Sequence, residues 1–314
     1  MLLYIYTRYQ IIWILFILLV LIIMKSKLHT IAKNDFKLIN SDTSLVETLI
    51  IIPSLFSKIG YDYRDFIRQT WKKTLTKDTK LLFFIGIQDL YYWDKEKLNK
   101  EQLEHNDIVY MDIHETYKTL SLKMAEIYLF IYNARLNRDY SNLKWVFKTD
   151  TDVWFNPDAY FKVIKDLPQK RTWVGSNNIL APVLTRGPWA NKKYTSSVYP
   201  LYNAGAGYAV TIDIIEWVAL NYNSNFLKLM TNEDALLGIW LAGLNVHIID
   251  TPYILPQIGR HGKKLDAPWD SKCSKDVFLV HNLSLKGIKD AHTRYKKCQT
   301  TCSRDCELST EEES

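Results

Sequence analysis

Two carboxylates one residue apart, Asp150 and Asp152, follow the short apolar run Trp145-Val146-Phe147. That run carries the β-forming side chains of a buried strand. Asn156-Pro157 then opens a helix, with asparagine as N-cap and proline at the first helical position. In an open α/β sheet, ligands sit beyond the carboxyl ends of the strands, so the pair falls where chemistry is done. An Asp-x-Asp there suits a hard divalent cation carrying a diphosphate, because oxygen ligands match Mg2+ or Mn2+. The competing reading is a polar turn after a strand. The pair alone does not decide between them.

The elements that must position these acids follow from periodicity. Leu49-Ile50-Ile51-Ile52-Pro53 reads as a buried strand ended by proline. Asp62 to Trp71 is helical, with Phe66 and Thr70 on one face and Arg64 and Arg68 on another. Leu81 to Ile87 is a second strand, Lys95 to Glu104 a charged helix, and Asp107 to Tyr110 a third strand. Leu120, Met124, Ile127, Tyr128 and Ile131 recur at helical spacing, which predicts an amphipathic helix over Tyr117 to Arg135. Strands alternating with helices predict a doubly wound α/β sheet.

The second half is less regular. Trp173-Val174-Gly175 is a short strand, and Ala181 to Pro200, with three prolines, is a long loop over the site. Asn203-Ala204-Gly205-Ala206-Gly207-Tyr208 precedes a strand and a helix starting near Ile212. Gly205 and Gly207 would let backbone approach a ligand closely, or simply form a turn. Thr231-Asn232-Glu233-Asp234 opens an apolar helix, Ala235 to Leu241, that stops at Gly243. Thr231 and Asp234 have capping-box spacing, and acids favour helix N-termini in any case.

A net charge of +6 is too mild to argue for nucleic acid. The 20 tyrosines and 10 tryptophans suit a ring-stacking ligand such as a sugar. All four cysteines, Cys273, Cys298, Cys302 and Cys306, lie late in the chain, in spacing that favours disulfides of an oxidising lumen over a zinc site. Their pairing is not legible. Ile11 to Met24 is uninterrupted apolar sequence between Arg8 and Lys25. With Tyr9 and Gln10 it reaches about 24 Å as a helix, enough for a thin internal membrane. Lys25-Ser26-Lys27 offers no signal-peptidase site. Lysines 25, 27, 33 and 37 favour a cytosolic C-terminus by positive-inside counting, whereas the cysteines and the sequon Asn282-Leu283-Ser284 favour the lumen. The lumenal orientation is adopted here. Residues 1–8 are then a cytoplasmic tail, 9–24 the transmembrane signal-anchor, 25–46 a stem, 47–297 the lumenal domain and 298–314 a Cys-containing acidic tail.

Several stretches occur together in a familiar order. They are Arg64-Asp65-Phe66-Ile67-Arg68-Gln69-Thr70-Trp71, Leu81 to Gly86, Asp107-Ile108-Val109, Glu115 to Lys123, and Lys148-Thr149-Asp150-Thr151-Asp152-Val153. Tyr199-Pro200-Leu201-Tyr202, Gly205-Ala206-Gly207-Tyr208, Glu233-Asp234-Ala235 with Gly238, and Val280-His281 complete the set. Over roughly residues 47 to 297 the chain resembles glycosyltransferase family 31, the inverting β-1,3-galactosyl- and β-1,3-N-acetylglucosaminyltransferases, with Fringe as a more distant relative. Three positions depart from the family pattern. Thr151 replaces a middle acid, Ala235 a valine, and Asn203 a cysteine.

The resemblance implies a GT-A fold and an inverting transfer of galactose or N-acetylglucosamine from a UDP-sugar to a glycoprotein or glycolipid glycan, in the Golgi. It makes Asp234 the general base, Asp152 and His281 ligands of Mn2+, and Asp150 a residue that hydrogen-bonds the donor or orients the site. Arg68 would contact the nucleotide phosphates, the alternative being that Arg64 and Arg68 only line a solvated helix face; Gly205 and Gly207 would line the donor site, and Asn282 would carry a glycan. Without the resemblance, His281 reads as a strand-end residue. A haloacid-dehalogenase-type phosphatase also places a nucleophile in Asp-x-Asp, but Trp154 stands where that pattern wants threonine or valine. A catalytically dead relative that binds glycans or chaperones a partner transferase is the non-enzymatic alternative.

The topology is testable directly. In intact microsomes the C-terminus should resist protease and become sensitive only after detergent. Digestion without detergent would reverse the orientation.

Overall fold

The computed structural model describes residues 43–187, 190–255, 263–267, 274, 276–302 and 306. The expected anchor, residues 9–24, lies outside them, and among the described residues no helix is long and apolar enough to cross a membrane. The elements run β1 (Thr48–Ser54), α1 (Lys58–Gln69), β2 (Thr79–Gly86), α2 (Tyr92–His105), β3 (Ile108–Met111), α3 (Leu120–Leu136), β4 (Trp145–Thr149) and β5 (Trp154–Phe155). They continue with α4 (Pro157–Ile164), β6 (Thr172–Asn178), β7 (Tyr202–Thr211), α5 (Ile212–Asn223), α6 (Glu233–Leu241), β8 (His247–Asp250), β9 (Ile254–Leu255), β10 (Leu279–Val280) and α7 (Leu285–Cys298). Short 3-10 turns at Trp71–Thr74 and Tyr117–Thr119 border α1 and α3.

The run Leu49 to Ile52 is buried on both faces because β1 is flanked by β2 and β4, each parallel to it. The main sheet has seven strands in the order β3-β2-β1-β4-β7-β6-β8. β7 is antiparallel to both β4 and β6, while β6 and β8 are parallel. The sheet is therefore mixed and mostly parallel, as a GT-A-type fold requires. The carboxyl ends of β1 to β4 share one edge, and antiparallel β7 begins at that same edge. Its register sets Thr149 opposite Gly207, so the glycine-bearing start of β7 lies beside Asp150.

A second, three-stranded sheet has the order β5-β10-β9. Antiparallel pairing of Val280 with Trp154 brings His281 back alongside Asp152. α4 begins as expected, with the Asn156 side chain accepting from the Ala159 N–H. Beneath the site, Phe147 stacks on Phe155 at 4.8 Å, and Phe278 and Tyr160 close the same core. α7 packs Ile288 and Ala291 against Trp154, Val280 and Leu283 in a smaller cluster. Cys298, the last residue of α7, is disulfide-bonded to Cys306, Cys302 is disulfide-bonded as well, and Cys302 and Cys306 are both buried.

Two expectations change. The stretch Asn203 to Tyr208 is not a turn ahead of a strand; it is the first half of β7 itself. Arg64 and Arg68 do not line a solvated face, since both are buried. Arg64 donates to both oxygens of Glu101 at 2.7 Å and to the Ser54 hydroxyl at 2.9 Å. Arg68 donates to both oxygens of Asp107 at 3.0 and 2.7 Å and pairs with Glu101 at 2.8 Å. The guanidinium assigned to the nucleotide phosphates is thus engaged by α2 and the start of β3.

Removing one member of such a buried network leaves charge uncompensated. Arg68→Met should lower the unfolding free energy by about 3–5 kcal/mol in urea titration and leave UDP-sugar affinity unchanged. Weaker donor binding with an unchanged urea midpoint would return Arg68 to the donor site.

Candidate active site

Asp150, Asp152 and His281 come together although His281 lies 129 positions after Asp152 in the chain; one ligand atom from each lies within 4.8 Å of the others. His281 Nε2 is 3.4 Å from Asp150 Oδ2 and 3.5 Å from Asp152 Oδ1. Burial disfavours the imidazolium, but the two carboxylates outweigh burial and raise the pKa of His281. Two carboxylates and one imidazole form a donor set that fits Mn2+ or another borderline divalent ion. Lys264 also reaches Asp152, donating to Oδ2 while its ammonium lies 5.4 Å from the centre of the Tyr63 ring.

Lys148, on β4 and two residues before Asp150, is buried to 1 % exposure. Its ammonium donates to Asp150 Oδ1 at 3.0 Å and to the Gly205 carbonyl, and lies 3.6 Å from Glu233 Oε2. Burial opposes this charge, yet Asp150 and Glu233 outweigh it and raise the pKa. Burial likewise pushes Asp150 up, while Lys148 and His281 outweigh it and hold the carboxyl well below its usual range.

Asp234 sits in the first turn of α6. The N-cap is Asn232, without a side-chain cap, so the capping-box spacing of Thr231 and Asp234 goes unused. The Asp234 carboxylate instead accepts from its neighbour Ala235 N–H at 2.9 Å and, across to β7, from Gly205 N–H at 3.1 Å. Burial outweighs these amides and Lys148, and the net effect is a raised pKa. A helix N-terminus alone would favour the ionised form; here desolvation wins, which makes the carboxylate a better proton acceptor. Glu233, beside it, is pushed by burial to about 7, against Lys148 and with Asp234 and Asp150 adding to the rise. The Tyr208 hydroxyl donates to Glu233 Oε1 at 3.0 Å and shares a hydrogen bond of 2.7 Å with the Tyr128 hydroxyl.

The other expected residues divide. Gly205 is in the site, where a Cβ would meet Glu233, Lys148 and Asp234 at 3.4–3.5 Å. Gly207 faces the core, where a Cβ would meet Leu279 at 2.6 Å. Trp173 and Tyr208 pack edge to face, both fully buried. Asn282 adjoins His281 with a left-handed backbone (φ 61°), and Ser284 of its sequon caps α7 by accepting from Gly287 N–H at 3.0 Å. Sequence reasoning gave no role to Lys148, Glu233 or Lys264. A lysine inside an apolar strand was the available signal, because a buried ammonium demands carboxylate partners.

A family model described as Galactosyltransferase matches residues 62–252. Over 160 residues the chain is 32 % identical to UDP-GalNAc:beta-1,3-N-acetylgalactosaminyltransferase 2 of Mus musculus, covering 50 % of this chain and 30 % of that protein. The Danio rerio protein of that name is 27 % identical over 213 residues, 67 % of this chain and 39 % of its own. Hydroxyproline O-galactosyltransferase GALT6 of Arabidopsis thaliana is 25 % identical over 185 residues, 57 % and 26 % of the two chains. The matched stretch thus spans under two fifths of the length of each of these relatives.

Glu233 gives the site a pH signature. Its folded pKa of about 7 lies above the ordinary 4.5, so between those values the folded state holds the proton more tightly. Stability contributed by this residue therefore falls as pH rises through that window and levels off above it. Without added metal, Glu233→Gln should melt like the parent near pH 4 and above it at pH 8. Coincident melting curves at pH 8 would contradict the assignment.

Proposed function

The chain belongs to the galactosyltransferase family, glycosyltransferase family 31, and from that premise we propose that it is an inverting β-1,3-glycosyltransferase. Its donor is a UDP-sugar of galacto configuration, N-acetylgalactosamine or galactose, and its acceptor a glycan hydroxyl. The relatives' names carry these two sugars, which share an axial C4 hydroxyl. Family membership removes the phosphatase alternative. The observation that carries the reading is the convergence of Asp150, Asp152 and His281 on the sheet edge where Asp234 is held by Gly205.

Inverting transfer is a single displacement. The acceptor oxygen bonds to the anomeric carbon while the bond from that carbon to the phosphate oxygen breaks, and UDP leaves with the electron pair. An alcohol is a poor nucleophile at neutral pH, so Asp234 takes its proton. The amides of Gly205 and Ala235 orient the carboxylate for that transfer. Asp152 and His281 would hold Mn2+, with Asp150 Oδ2 in reach of the same centre. When bound, the ion supplies positive charge for the departing diphosphate. Lys148 keeps Asp150 ionised beside it. In the cell we place the enzyme in the Golgi as a single-pass type II protein anchored by residues 9–24.

A donor screen on the full chain in detergent tests this. UDP release with UDP-N-acetylgalactosamine or UDP-galactose should need Mn2+, stop in EDTA and return on adding the ion. Preference for UDP-N-acetylglucosamine would correct the sugar, and absence of turnover with every donor would favour the glycan-binding relative. Asp234→Asn should keep UDP-sugar binding and lose transfer by roughly a hundred- to ten-thousandfold. Parent-level transfer by that variant would place the base elsewhere.

A further inference from the structure

The buried Lys148 ammonium faces one oxygen on each of three walls of the site, hydrogen-bonded to two of them and ion-paired with the third at 3.6 Å. Asp150 Oδ1 lies one residue past the end of β4, the Gly205 carbonyl belongs to β7, and Glu233 Oε2 to the start of α6. Gly205 is the joint in this array. Its carbonyl accepts from Lys148 while its own N–H donates to Asp234 Oδ2 at 3.1 Å. A continuous chain of polar contacts therefore runs from Asp150 through Lys148 and Gly205 to Asp234. The ring of Tyr208 covers the ammonium from the core side, 5.9 Å from its centre. Lys148 and Tyr208 are at most 1 % exposed, while Gly205 itself is half-buried.

We propose that Lys148 is a positioning residue that ties the carboxylate facing the metal to the general base through the backbone of Gly205. The proposal rests on the glycosyltransferase reading above. Lys148 touches neither donor nor acceptor; it sets where the Asp234 oxygens lie relative to the atoms held at Asp150. Losing it frees the Gly205 carbonyl, and with it the amide that orients Asp234. The base then samples positions away from the acceptor hydroxyl, while Asp152 and His281 stay in place. Groups of both charges face the joint. Glu233 lies on the base's own helix, Lys148 on β4 and Asp150 one residue past it, and Tyr202 of β7 is close enough for Asp234 to add to the burial that raises its pKa.

The test compares wild type, Lys148→Met, Asp234→Asn and the double variant in the full chain. Mn2+-dependent UDP binding by calorimetry should weaken by no more than about tenfold in Lys148→Met, the lower end of what a lost hydrogen-bond partner at a metal site costs, since Asp152 and His281 remain. Its kcat for transfer should fall about a hundredfold, the scale of a 1 Å misplacement of a reacting group. In the Asp234→Asn background the same change should cost less than about threefold, because the residue through which it acts is already gone. Lys148→Met/Glu233→Gln, which removes opposite charges together, is compared with Glu233→Gln and carries the test where the single variant does not fold. UDP binding that falls in step with kcat, an equal loss in both backgrounds, or a wild-type kcat in Lys148→Met would each overturn the bridge. A wild type that releases no UDP from any donor would overturn the enzyme reading, and the bridge with it.

Discussion

Four carboxylates meet at one edge of the main sheet, and the structure depends on how their charge is balanced. Asp150, Asp152, Glu233 and Asp234 face Lys148, Lys264 and His281. Taking a lysine out of water costs several kcal/mol unless its partners are close and its donors are all used. Lys148 has two carboxylates within 3.6 Å and donates to Asp150 and to the Gly205 carbonyl. The balance is uneven, however. Asp150 is held ionised, while Glu233 and Asp234 are pushed toward the protonated form. Acids driven apart in this way mark separate chemical roles.

That crowding follows from topology. β7 runs antiparallel into an otherwise parallel neighbourhood, so its first residues, not its last, reach the edge where β4 ends. Gly205 arrives there without a side chain, and the space it leaves is filled by Glu233, Lys148 and Asp234. The small sheet works in the same sense. β10 pairs with β5, and His281 is delivered one residue beyond the pairing.

The buried arginines organise the other half. Arg64 joins α1 to Glu101 of α2 and to the carboxyl end of β1, and Arg68 joins α1 to Asp107 at the entrance of β3. Replacing such a network by apolar groups is often neutral for stability, so its contribution lies in fixing how α1 sits on the sheet. That placement matters for the site. Tyr63, one residue before Arg64, donates to the Leu283 carbonyl at 3.0 Å, two residues past His281, and lies under Lys264.

The strands β1, β2 and β4, the helices α1 and α3, the Asn156 cap and the Asp-x-Asp at a strand end were legible in the sequence. Each is written in local periodicity or in one residue's capping chemistry, which needs no distant partner. The family motifs were legible too, because they are contiguous. Tertiary structure alone decided the rest. It turned Arg68 inward, since only folding sets Asp107 within reach. It made the glycine stretch a strand, since pairing with β4 overrides the local preference for a turn. It joined His281 to Asp150 and Asp152, and it assigned Gly207 to the core and Gly205 to the site. The roles of Lys148 and Glu233 were hidden for the same reason. A charge far from its partners in sequence shows neither its desolvation nor its compensation until the chain has folded around it.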